Sequence, residues 1–140
     1  MSWSGQDWRA VEAALADLTY DRCRRIAVAA AGRALAAWPG HPTALAAVLD
    51  QALLGPMDDG VIAEVAGIAE DLDDRYLDLY DDEKPDGRTP GWEEAFRRAR
   101  AAAAVVSALD ADARRAASGA IYEASYALDE DLIPLTGEVG

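Results

Sequence analysis

Acidic side chains crowd one stretch of this chain: Glu70, Asp71, Asp73, Asp74, Asp78, Asp81, Asp82 and Glu83, with Asp86 close behind. Arg75 is the one cation inside the run. Asp71, Asp74 and Asp78 are spaced three and four apart, which sets them on one side of a helix. Like charges at that spacing repel, and carboxylates near a helix C-terminus oppose its macrodipole. Folding gains nothing from this arrangement. One chemistry it suits is an electrostatic landing surface for a basic protein, built from Asp71, Asp74, Asp78, Asp81, Asp82 and Asp86, with Tyr76 and Tyr80 supplying aromatic contact area. The plainer reading is a solvated face in a generally acidic protein.

Two metal chemistries draw on the same region. Glu70, Asp73 and Asp74 have the helical spacing with which all-α nucleotide pyrophosphohydrolases hold magnesium. That would make the chain a carboxylate-metal (Mg/Mn) hydrolase of nucleotides or phosphate esters. Such enzymes need acids converging from a second helix, and no second set is evident. The segment from Asp82 to Glu93 matches an EF-hand loop at its first, fifth, sixth and last places, through Asp82, Asp86, Gly87 and Glu93. Against calcium, Lys84 occupies the third ligand place, and Pro85 and Pro90 stiffen the loop. The same residues read as a Pro-Asp-Gly turn ahead of a Thr-Pro helix start.

Nucleophilic chemistry has less to work with. His41 is the only histidine and sits in a Pro-Gly-His-Pro turn with no evident partner. Cys23, the only cysteine, lies on an apolar stripe and reads as a small core residue, although Arg22, Arg24 and Arg25 are close enough to lower its pKa. Glycine-rich phosphate loops, CxxC pairs and an HExxH motif are all absent. No catalytic residue and no cofactor is expected.

The elements that must carry these residues are helices. Alanine dominates the apolar half of the composition, and period-two β-branched runs are missing. Ser4 or Gln6-Asp7 opens a first helix with Trp8, Val11, Leu15 and Leu18 on one stripe. Thr19-Tyr20-Asp21 caps a second, which buries Cys23, Ile26, Ala27, Ala30, Ala34 and Trp38, keeps Arg22, Arg24 and Arg25 toward solvent, and stops at Pro39-Gly40. Pro42 starts a third through Leu45, Val48, Leu49 and Ala52. Asp58-Asp59 starts a fourth, in which Ile62, Val65, Ala69, Leu72, Tyr76 and Leu79 recur at helical spacing and the acids fall beside them. After the Pro/Gly/Asp-rich loop from Asp81 to Gly91, Thr89-Pro90 caps a fifth helix, with Glu93 and Glu94 four residues ahead of Arg97 and Arg98. Asp110 opens a sixth, with Ala117, Ile121, Ala124 and Leu128 inward. The expectation is an all-α single domain spanning 1–140, a bundle or orthogonal array of five to six helices, with 129–140 as an extended strap.

The 140 residues carry a formal charge of -13. That charge repels nucleic acid and anionic lipid and favours a basic protein partner, cations or simply high solubility. A helical scaffold or dimerisation module, pairing with a second copy of the chain, is a further alternative. A single cysteine excludes an internal disulfide and suits a reducing compartment. The first seven residues lack the basic start and apolar stretch of a signal peptide, and the Ala-rich segment 26–38 is short for a bilayer span and contains Arg33. The expectation is a cytoplasmic protein. Arginine supplies every cation except Lys84, a bias that goes with GC-rich bacterial genomes.

Two segments resemble a family of Ala-rich, all-helical immunity proteins of bacterial toxin systems. Residues 31–55, through Arg33-Ala34-Leu35-Ala36-Ala37-Trp38-Pro39-Gly40-His41-Pro42, are similar to that family's helix, Pro-containing turn and following Ala-rich helix. Residues 99–128, ending Gly119-Ala120-Ile121-Tyr122-Glu123-Ala124-Ser125-Tyr126-Ala127, look like its closing helices. The resemblance covers about half the chain. It implies a non-enzymatic inhibitor, an immunity protein or antitoxin that neutralises a toxin domain. The family's closing helices commonly carry histidines; here they carry none, so no ligand role is transferred.

Overall fold

A computed structural model describes residues 7–55, 57–80 and 91–138. Among them are six substantial helices: α1 (Trp8–Leu15), α2 (Tyr20–Ala36), α3 (Thr43–Ala52), α4 (Asp59–Leu79), α5 (Trp92–Ala108) and α6 (Ala113–Leu128), followed by the single turn α7 (Leu135–Glu138). No strand occurs among the described residues, and the protein is all-α.

Capping chemistry sets most of the starts. The Asp7 carboxylate accepts from the Arg9 and Ala10 amides, the Thr19 hydroxyl from Arg22, Asp58 from Gly60, and Asp112 from Arg114 and Arg115. Three expected starts shift. Pro42 is the N-cap of α3 rather than a member of its first turn. Asp110 lies before α6, where it accepts from the Asp112 amide and pairs with Arg115, while Asp112 caps the helix. Gly91, at φ 95°, is the N-cap of α5; the expected Thr89-Pro90 cap lies outside the described residues.

α2, α5 and α6 form the centre, packed on one another, with α1 against α6, α3 against α2 and α4 against α5. The core where they meet is mostly alanine: Ala27, Ala30, Ala31 and Ala34 of α2, Ala101, Ala102, Ala104 and Ala108 of α5, and Ala116, Ala117, Ala120 and Ala124 of α6 are all buried. Small side chains let helix backbones approach closely. At Gly119 the approach is tight enough that an added Cβ would lie 3.0 Å from the Ser107 Cβ. Larger residues fill the periphery of this core, with Val11 and Leu15 from α1, Leu45 and Val48 from α3 and Ile121 from α6 fully or almost fully buried.

The tail returns to the core as expected, but through a turn of helix rather than as an extended strap. Leu132 and Leu135 are buried, and α7 packs on α2. Of the three arginines expected on the solvent side of α2, Arg25 is exposed, whereas Arg22 and Arg24 are half-buried and tie α2 to the tail and to the end of α5. Arg22 donates to the Thr136 carbonyl at 3.3 Å, and Arg24 donates to the carbonyls of Ala108 (2.6 Å) and Ala111 (3.3 Å) at the end of α5. Their guanidinium groups satisfy carbonyls that a helix C-terminus leaves without intrahelical partners.

Candidate protein-binding face

α4 is the outermost long helix and is covered mainly by α5. Of its six expected inward residues, Val65 and Ala69 are buried, while Ile62, Leu72, Tyr76 and Leu79 are half-buried. Its other side belongs to solvent. Glu70, Asp71, Asp74 and Asp78 are exposed there, together with Arg75. Asp71, Asp74 and Asp78 enter none of the ion pairs among the described residues. Leu77, 59 % exposed, lies three residues past Asp74 at the edge of this acidic surface. The expected contributions of Asp81, Asp82 and Asp86 lie outside the described residues.

Asp73 behaves differently from its neighbours. It turns toward α5 and pairs with Arg100, which pairs in turn with Glu123 of α6 at 2.7 Å. One guanidinium therefore joins three helices. Burial opposes the Arg100 charge, yet the two carboxylates outweigh it and hold its pKa above the ordinary arginine value. Glu123 is driven mainly by its own burial, which exceeds the attraction of Arg100 and raises the carboxyl above the ordinary glutamate range.

Tyr76 and Tyr80 work inside the fold as well as at its surface. The Tyr76 ring lies 5.2 Å from that of Phe96 and 5.7 Å from Tyr80, and the Tyr80 ring meets Trp92 edge-on at 5.2 Å. This cluster seats the C-terminal half of α4 on the first turns of α5, and with Tyr126 it borders a shallow groove of 420 Å³. Both tyrosines are left half-buried by this packing.

Asp73, the middle member of Glu70, Asp73 and Asp74, is committed to Arg100. Among the described residues no group of three or more His, Cys, Asp or Glu side chains is placed to hold a metal ion. Glu93 is exposed at the start of α5, and its expected companions Asp82 and Asp86 lie outside the described residues. Cys23 is fully buried, and Arg22 and Arg24 point at backbone carbonyls instead of at its thiol. His41 Nδ1 stays within its turn, 3.0 Å from the Trp38 carbonyl.

Two features escaped the sequence reading. Arg100 carried a signal, since it is a charged residue among alanines on the inner part of α5, but its partners lie 27 and 23 residues away and no local pattern names them. The exposed pair Leu53-Leu54, just beyond the last buried residue of α3, could have been found from its position off the apolar stripe. No helix among the described residues is long and apolar enough to cross a membrane. No family model, no curated protein and no solved structure matches the chain.

Proposed function

We propose that this protein is a cytoplasmic binding protein that neutralises a basic protein, a bacterial toxin domain above all, in the manner of an immunity protein or antitoxin. The observation that carries the reading is the outward side of α4. Three aspartates, Asp71, Asp74 and Asp78, stand exposed and enter no ion pair among the described residues, although Asp73 beside them has a salt bridge to Arg100. The net charge of -13 extends the same attraction beyond contact distance. Leu77 adds an apolar contact at the edge of the charged surface. The likeness of residues 31–55 and 99–128 to helical immunity proteins points the same way, and a buried free thiol at Cys23 suits a reducing compartment.

The chemistry follows from charge. A nuclease or other phosphate-handling toxin gathers arginine and lysine at its active surface. Unpaired carboxylates would occupy those cations and block substrate. Long-range attraction speeds the encounter, and a few desolvated contacts set the lifetime of the complex.

The test is a capture experiment from native lysate, with the wild-type protein and Asp71→Asn/Asp74→Asn/Asp78→Asn as parallel baits, washed at low and high salt. A stoichiometric basic protein held by the wild type at low salt, released at high salt and missed by the triple variant is expected. Retention of that protein by both baits, or no stoichiometric basic protein on either, contradicts the proposal.

A further inference from the structure

Six large apolar side chains among the described residues are exposed, and three of them, Tyr20 (66 %), Leu53 (50 %) and Leu54 (87 %), line a single groove. The groove has a volume of 790 Å³ and lies where four elements meet: the start of α2, the end of α3, the start of α4 and the turn between α5 and α6. Ala52, Leu109 and Ala113 form its buried floor, and Met57 and Ile62 its half-buried flank. Isolated exposed apolar residues need no explanation, but several gathered in one concavity mark a contact surface.

The charges around the groove identify what it fits. Asp21, Asp59 and Asp112 stand among its lining residues and enter no ion pair among the described residues. The one cation among the described lining residues, Arg24, is held by the Ala108 and Ala111 carbonyls. Outside it, Arg114 covers the Tyr20 ring at 5.9 Å. An apolar trough with an acidic rim is complementary to an amphipathic helix whose polar side is basic. A second copy of this chain would bring its own -13 charge and the same acidic rim against this one.

We infer that this groove is a docking site for a basic amphipathic helix of another protein, with Leu53, Leu54 and Tyr20 as the apolar contacts and Asp21 and Asp59 as the charged ones. The site is separate from the acidic side of α4. Asp59 and Asp78 stand at opposite ends of a helix of about 30 Å, at ~1.5 Å per residue. The inference goes beyond the neutraliser reading and does not depend on it, so either can fail alone.

The probe is a synthetic helical peptide with leucine along one side and lysine along the other, titrated into the full chain and followed by NMR. Its two controls keep the leucines but replace lysine by glutamate, or keep the lysines but replace leucine by alanine. Saturable shifts at Tyr20, Leu53, Leu54 and Ile62 are expected with the first peptide and with neither control. Leu53→Ser/Leu54→Ser should weaken binding at least about tenfold, and Asp21→Asn/Asp59→Asn should weaken it and flatten its salt dependence. All four positions are exposed, so both variants should keep the wild-type helical circular dichroism. Shifts confined to Asp71–Asp78, equal binding of the glutamate peptide, or unchanged affinity in the serine variant would overturn the inference. Concentration-dependent shifts at Leu53 and Leu54 without peptide would also overturn it, by showing a second copy in the groove.

Discussion

Arg100 holds α4, α5 and α6 together through the carboxylates of Asp73 and Glu123, with its guanidinium carbon 5.8 Å from the centre of the Phe96 ring. Removing one partner of a buried ion pair costs about 3–5 kcal/mol. Here Asp73 remains 40 % exposed and returns easily to water, so the loss should be smaller. Arg100→Met is expected to destabilise the protein by about 2 kcal/mol in urea unfolding, and an effect below a few tenths would show the triad to be ornamental. Glu123 makes a finer test. Its carboxyl has the ordinary value in the unfolded chain and a raised one in the folded protein. The folded state therefore keeps the proton to higher pH, and the stability tied to this group is complete below the ordinary glutamate range and lost as pH rises through the raised value. Relative to Glu123→Gln, which cannot ionise, the wild type should lose stability over the range from the ordinary glutamate value upward. A stability difference that stays constant across that range would contradict it.

At the scale of elements, helix identity was legible because alanine content, apolar spacing and caps agreed with one another. Thr19, Asp58 and Asp7 cap as their sequence positions imply. Burial was less legible for α4, because periodicity states which side a helix turns inward but not how many neighbours cover it. Its side of the fold has α5 with only the edge of α3, and this leaves Leu72, Tyr76 and Leu79 half-buried. The acidic side was visible as spacing, whereas Asp73 could be separated from Asp71 and Asp74 only once Arg100 was in place. Close packing of α5 on α6 supplies the prediction for this scale. Gly32 and Gly67 have nothing within 4 Å of an added Cβ, whereas Gly119 meets Ser107. Gly32→Ala and Gly67→Ala should each stabilise by about 0.5–1 kcal/mol through helix propensity. Gly119→Ala should gain nothing in thermal unfolding unless Ser107→Gly is introduced with it. Equal stabilisation at all three sites would mean that α5 and α6 are further apart than described.

For the whole molecule, charge and fold pull in opposite directions. Neutralising Asp71, Asp74 and Asp78 removes repulsion at helical spacing and the opposition of Asp78 to the α4 dipole, while asparagine has about the same helix propensity as aspartate. The triple variant should be as stable as the wild type or more stable, by ~1 kcal/mol at low ionic strength. A loss of stability would give these acids a role in folding and remove the reason for assigning them to a partner. Leu77 separates the two parts of binding. Leu77→Ser should leave association with the captured protein nearly unchanged and speed dissociation, because its exposed side chain acts only at contact.

The most direct measurement is the rate at which the captured basic protein associates with the wild type and with Asp71→Asn/Asp74→Asn/Asp78→Asn, by stopped flow over a range of salt. The wild type should associate fast at low salt and slow steeply as salt rises, with the triple variant slower at low salt and nearly flat. Superimposable rates for the two proteins at every salt concentration would show that the acidic side of α4 is not what the partner meets.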